Sequence, residues 1–475
     1  MKKQIMVLVL ALSLLAMAGC GAGGSGPDEN ALPPLETASP VLDSNQGYDR
    51  SDPIVIYQEN LNSGVSFALY ENGRLVLTGA DIADSMGDEK AYQDYRDTIT
   101  TIELGEGVTV VGSKAFAGLD KIQKVVVGKS VESIGYSAFS DCKALTQVDF
   151  GDNLKEIGDY AFSGCVSLTD VDLSGSITQV GSYCFAGCTA IKNAILGSSV
   201  REIGNFIFSG CTALSSVRIG CNVGDSAFKD CTSLESVVLE TGVEVIADRA
   251  FSGCEKLQSI SLGNTLREIG AYAFADCVSL GSVSIPASVT LVEREAFVQC
   301  TKLDTVTFAP EAAVVLEDGA FTGCTALKEL ELGGGIQEIG NYCFAECTGL
   351  KSVVIGSNVS AMGENIFAGC TDLTTLDVSS SIGASSFKNL SALEKVNVGE
   401  GAVSIGDQAF YGCTSLKSIT LPKSLKTVGA EILSGTSALK DLRYRGSKNE
   451  WQKITLDKKW NTGAGSSSVT KYNAE

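Results

Sequence analysis

One phenylalanine, returning at almost constant spacing, constrains this chain more than any other feature. It stands at Phe116, Phe139, Phe162, Phe185, Phe208, Phe228, Phe251, Phe274, Phe297, Phe321, Phe344, Phe367, Phe387 and Phe410, and Leu433 takes its place in a final copy. The steps are 23 residues, apart from two of 20 and one of 24. Around it recurs V-x-x-I-G-x-x-A-F-x-G-C-x-x-L-x-x-V-x-L, with Leu or Ile often replacing Val; Leu154 to Leu173 is a clean copy. A length of 475 residues would ordinarily imply several globular domains. Fifteen copies of one short unit from Thr100 onward replace that expectation with a stack of similar coils.

The physics of one copy is legible. In Leu168-Thr-Asp-Val171-Asp-Leu173 the apolar residues fall on one side of an extended segment, while Asp170 and Asp172 project to the other. Val-x-x-Ile-Gly reads as a second short extended piece, and Ala161-Phe162-Ser-Gly-Cys165 as a turn whose Phe plugs the coil. A single copy cannot bury its apolar side, so neighbours must share a continuous core, each Phe contributing roughly 1.5–3 kcal/mol by burial. A fixed period with Leu-x-x-Val-x-Leu is the leucine-rich-repeat signature. The expected fold is an α/β repeat: a solenoid of about 15 short strand-and-turn coils of 23 residues, spanning on the order of 70 Å at the inter-strand spacing.

The Ala-Phe-x-x-Cys core with Ile-Gly before it resembles the BspA-type leucine-rich repeat family of bacterial surface proteins. Both flanks resemble the same proteins. Ser66-Phe67-Ala-Leu69 through Leu75-Val-Leu77-Thr-Gly79 is similar to their β-rich leading segment, and Tyr444-Arg-Gly-Ser447 through Trp451-Gln-Lys-Ile454 to their closing segment. The expected organisation is a β-rich N-terminal cap over 53–99, repeats over 100–445 and a C-terminal cap over 446–475 holding both tryptophans, Trp451 and Trp460.

A longer period overlies the short one. The two 20-residue steps lie 159 residues apart, which is seven repeats, and Gly181–Val200 matches Gly340–Val359 at 11 of 20 positions. A seven-repeat block was therefore duplicated as a unit.

The N-terminus gives a cellular address. Lys2 and Lys3 precede an apolar run from Ile5 to Met17, too short for a comfortable membrane span, which ends in Leu15-Ala-Met-Ala-Gly-Cys20. The segment resembles a bacterial lipoprotein signal, which implies removal of 1–19 and acylation of Cys20; an ordinary signal peptide is the alternative. Residues 20–52, rich in Gly, Ser and Pro, read as a tether with a reach on the order of 30 Å. The expected location is extracytoplasmic, lipid-anchored to a bacterial membrane, at the cell surface.

Composition excludes much chemistry. With 36 Lys+Arg against 56 Asp+Glu the net charge is −20, so nucleic acid and anionic lipid surfaces are not expected partners. No histidine is present, which removes Ser-His-Asp triads, Cys-His pairs and His-bearing zinc sites. No nucleophile elbow, P-loop or calcium loop occurs. No catalytic residue, metal or cofactor is expected. Twelve of the 16 cysteines share one column three residues after the Phe. A disulfide framework is one reading. The preferred one is a buried column of small apolar fillers, because equivalent side chains in stacked coils point the same way and Leu119, Leu390 and Thr436 also occupy the column. Cys221, outside the column, is a candidate exposed thiol.

What remains is a surface. The outward positions of the strand face include Ile195, Arg218, Val238, Ser261, Ser284, Thr307, Glu331, Val354 and Asp377, the candidate ligand face. Ile195 and Val354 correspond across the duplication and are candidate apolar anchors. The family resemblance implies a protein partner on a host or neighbouring cell, with glycan a second class and the membrane met only through the lipid. The alternative is a structural envelope scaffold docked to cell-wall glycan or a membrane complex.

Overall fold

The structure, a computed structural model, describes residues 53–473 apart from 62, 87–89 and 466–469. The signal segment, Cys20 and the tether lie outside the described residues. Each copy folds as its pattern requires. Asp170–Leu173 is a strand with Val171 and Leu173 buried and Asp170 and Asp172 outward. Gln179–Val180 is the second, two-residue strand, and the Phe turn closes the coil. Successive coils stack in parallel: Asp170 pairs with Asn193 and that with Ser216, while Val180 pairs with Ile157 on one side and Ile203 on the other. The Phe turns add a third line of bonds, Phe139 N–H donating to the Ala161 carbonyl at 2.8 Å and Phe162 N–H to Cys184 at 2.9 Å.

The core is a single column of rings. From Phe116 to Phe410 each ring lies nearly parallel to the next, with centroids 5.0 Å apart at Phe274–Phe297 and 6.1 Å at Phe367–Phe387, an offset-stacked arrangement. The Ile-Gly pair lets the coils approach: a Cβ on Gly158 would sit 2.8 Å from the carbonyl carbon of Gly135.

Parallel stacking extends beyond the Phe-marked copies. A hairpin of Val55–Asn60 and Ser66–Tyr70 leads into Arg74–Thr78, which already pairs in parallel with Thr101–Leu104. At the other end Thr455–Leu456 and Lys471–Tyr472 continue the two ladders. Ahead of both, a short helix, Lys448–Trp451, starts at Ser447 with a reciprocal capping box to Glu450. Trp451 packs edge-on against Tyr444 at 5.2 Å and Trp460 at 5.7 Å.

The strand face is less uniform than the period predicts. It divides into four hydrogen-bonded runs, with breaks after Gln147–Asp149, around Ser259–Leu262 and after Thr305–Phe308. Two breaks follow an aromatic residue. Phe150 and Phe308 stand where most other copies carry Leu, Ile or Val, and each turns edge-on to a core ring, Phe162 at 5.7 Å and Phe321 at 6.2 Å. Tyr444, a ring in the same column, is followed by no break, its strand pairing onward with Lys471–Tyr472. The third gap, spanned only by the single bridges Val238–Ser261 and Ser259–Ser282, has no such residue.

The two 20-residue copies lose their residues between the two strands, and their second ladder shrinks to the single bridges Val223–Ile246 and Ile382–Ile405. A side chain replaces the missing carbonyl. Asn222 Oδ1 accepts from the Glu244 and Val245 amides at 2.8 and 3.1 Å, and Ser381 Oγ from Val403 at 3.2 Å. In a full-length coil the Lys155 carbonyl does this for Thr178 and Gln179.

Candidate binding face

The outward column of the strand face runs in strict register. Asp172, Ile195, Arg218 and Val238 lie side by side in consecutive coils, as do Glu331, Val354 and Asp377. Ser261, Ser284, Thr307, Glu331, Val354 and Asp377 are exposed. Thr307 and Ser284 are joined by a 3.1 Å hydrogen bond between their hydroxyls.

The two proposed anchors are not equivalent. Val354 is 43 % exposed, whereas Ile195 is half-buried between Asp172 and Arg218. Val238, two coils beyond Ile195, is the more open aliphatic at 47 %. Arg218 between them is committed to Glu240 at 2.8 Å. Other carboxylates of this face are likewise paired, Glu103 with Arg74 and Asp149 with Lys124. Exposed pairs of this kind add little stability; the Arg218–Glu240 pair cancels charge beside Val238, and the other two lie several coils from Val238 and Val354.

The cysteine column is a set of hydrogen-bond donors as well as fillers. Each thiol donates to the carbonyl of a Phe one coil back, for example Cys254 to Phe228 at 3.3 Å, Cys277 to Phe251 at 3.3 Å and Cys300 to Phe274 at 3.2 Å. All 15 described cysteines are free and buried. Burial raises the Cys254 thiol and pushes Cys413 up to about 12. Cys221 is not an exposed thiol: it is only 8 % exposed and burial pushes it up to about 11. The cause is the shortened coil, which draws the segment after Ile219 inward. The corresponding residue of the second block, Ser380, is buried too.

A feature outside the sequence reading lies on the turn side. The residue two before each Phe is left-handed in every copy, from Lys114 at φ 56° to Glu431 at φ 55°. This conformation is costly for bulky side chains. Three consecutive copies place aromatics there, and Tyr160–Tyr183 and Tyr183–Phe206 stack at 4.8 and 4.7 Å, with Tyr136 edge-on at 5.8 Å. Partial desolvation in the stack, with Tyr183 alongside, raises the Tyr160 hydroxyl above its usual value. Elsewhere in this column Tyr272 is flanked by the guanidinium groups of Arg249 at 4.9 Å and Arg294 at 5.9 Å. The signal was present as aromatics spaced 23 apart in a column otherwise largely polar.

Two shallow grooves follow the second ladder. The larger, about 910 Å³, has a floor of Gly383, Gly406 and Gly429 and is edged by Ser404, Thr427 and Asp407. Among the described residues no group of acidic or thiol side chains is arranged to hold a metal, and no helix is long and apolar enough to cross a membrane.

The chain is similar to solved leucine-rich repeat structures. One from Bacteroides ovatus shares 24 % identity and covers 81 % of this chain and 99 % of its own, at a TM-score of 0.60. A leucine rich cell surface protein from Faecalibacterium prausnitzii shares 22 % identity over 86 % of this chain and 99 % of its own, at a TM-score of 0.36. No curated protein matches the chain. The family model described as the BspA type leucine rich repeat region matches residues 109–224, 221–314, 309–382 and 380–461. The chain, with its Phe-stacked coils and matched over most of its length, belongs to the BspA-type leucine-rich repeat proteins.

Proposed function

We propose that this protein is a lipid-anchored surface protein that binds another protein through the strand face, in an adhesive role. The observation that carries this reading is the pair of open aliphatics, Val238 and Val354, on the outward column of the strand face, Val238 beside an Arg218 already paired with Glu240 and Val354 between Glu331 and Asp377. Repeat solenoids offer such long faces to extended partners. Family membership supports the same reading, and the signal-like N-terminus supports anchoring through Cys20. No catalytic role is assigned.

Two experiments test it. A photoreactive residue at Val354 or Val238, in the full chain on intact cells, should form adducts with a partner protein, while the same residue at exposed Val166 should not. Adducts from Val166 alone would move binding off the strand face, and capture of cell-wall glycan from Val354 would replace adhesion with the scaffold role. For the anchor, Cys20→Ser should abolish incorporation of labelled fatty acid. Label persisting in that variant ends the lipoprotein reading.

A further inference from the structure

The N-terminal edge of the sheet is built unlike the C-terminal one. Val55–Asn60 pairs with Ser66–Tyr70 on one side only, and its other edge has no partner strand among the described residues. Ile54, Val55 and Ile56 are 67, 42 and 47 % exposed, three consecutive open aliphatics. A bulge between Val55 and Tyr57 leaves Ile56 without a partner on the inner side. Tyr57 alone is held inward, by Tyr95 at 4.9 Å and Phe67 at 5.8 Å. The opposite end of the solenoid finishes in a two-residue strand, Lys471–Tyr472, with an exposed lysine. Short edges bearing lysine are a standard protection against strand pairing, and a longer aliphatic edge invites it.

We propose that Val55–Asn60 is a self-association edge, and that its occupant is the same strand of a second copy, paired antiparallel about a twofold axis. Charge favours this place above others for two chains that each carry −20. The strand holds one ionised residue, Glu59. Antiparallel pairing centred on Ile56 sets Val55 opposite Tyr57 and Ile54 opposite Gln58. It also carries the two Glu59 side chains to opposite ends of the paired segment, about 20 Å apart and beyond a Debye length at physiological salt. The lysine-guarded far end disfavours head-to-tail pairing, so the contact closes as a dimer and does not propagate as a filament. Two short edges bury less than the roughly 1,200 Å² of a stable interface, so the dimer is weak and reversible.

The test uses the full chain on intact cells, with single cysteines at Ile54, Ile56 or Gln58, the native described thiols being buried. Mild oxidation should give a symmetric disulfide dimer that is strong at Ile56→Cys and weak at Ile54→Cys and Gln58→Cys, since the twofold axis brings only position 56 to its own copy. The strongest yield at 54 or 58 would overturn this register. A cysteine at Lys471 should give none. Adding Ile54→Lys to the Ile56→Cys chain should abolish the dimer without changing the circular dichroism of the solenoid. Equal yields at all three positions and at Lys471 would reduce the contact to random collision and overturn the proposal. A cross-linked band whose mass is not twice that of the chain would assign the edge to a different protein's strand and overturn it equally.

Discussion

At the scale of single residues, the cysteine column shows how a spacing can be read correctly and still incompletely. Burial and the absence of bridges follow from side chains that point the same way in every coil, and that much was legible. The role of the sulfur as donor was not, because spacing does not say which atom lies 3.3 Å from the Phe228 carbonyl. That carbonyl already accepts the Cys231 amide at 3.2 Å, so the Cys254 thiol is its second donor. Leu119 and Leu390 can therefore stand in the same column without leaving a carbonyl bare. Cys254→Ala should then lose only one weak bond and a small volume, about 1–2 kcal/mol by urea unfolding. Cys254→Ser should lose less than Cys254→Ala if the hydroxyl recovers the bond. A loss above about 4 kcal/mol for the alanine variant would mean that the thiol carries more than this geometry allows.

At the scale of the element, what the sequence made visible was the coil, and what it hid was the joint between coils. The strand with Val171 and Leu173 inward, the Phe plug and the Ile-Gly approach all follow from alternation and period. The breaks in the strand face do not. Two of them follow rings, Phe150 and Phe308, that satisfy the apolar pattern as well as Leu does and turn edge-on to the core column, and the third follows no such residue. The same limit applies to the candidate face: Ile195 and Val354 are equivalent by alignment, yet Ile195, between Asp172 and Arg218, is half-buried while Val354, between Glu331 and Asp377, is exposed. In the shortened copies the deleted residues are obvious, but the repair by Asn222 is a matter of geometry. Asn222→Ala removes the acceptor of two amides at once, which should cost about 1–3 kcal/mol. Hydrogen exchange should localise it, with the Glu244 and Val245 amides losing protection while those of distant coils keep theirs. Unchanged protection at both amides would show that water or a shifted backbone replaces the side chain at no cost.

At the scale of the whole molecule, stability is a sum over coils and their nearest neighbours, so anything repeated in every coil acts many times. The thiol is such a group. Buried, it is held neutral, with Cys221 and Cys413 raised to about 11 and about 12, whereas an unfolded cysteine titrates near 8.5. Between those values the unfolded chain has released protons that the folded chain keeps, so stability is fully present below the unfolded value and falls as pH rises through the window. Each thiol contributes about 1.4 kcal/mol of loss per pH unit there. The thiols of Cys142, Cys165, Cys211, Cys231, Cys254, Cys277, Cys300, Cys324, Cys347 and Cys370 are raised as well, so their coils share the effect. The urea midpoint should accordingly be flat from neutral pH to about 8.5 and then drop steeply. Thiolate absorbance should appear only together with the loss of circular dichroism, because the folded column does not ionise. Thiolate signal rising while the dichroism holds would show that water reaches the sulfurs in the folded state, and the sealed column inferred from Phe-stacked coils would have to be abandoned.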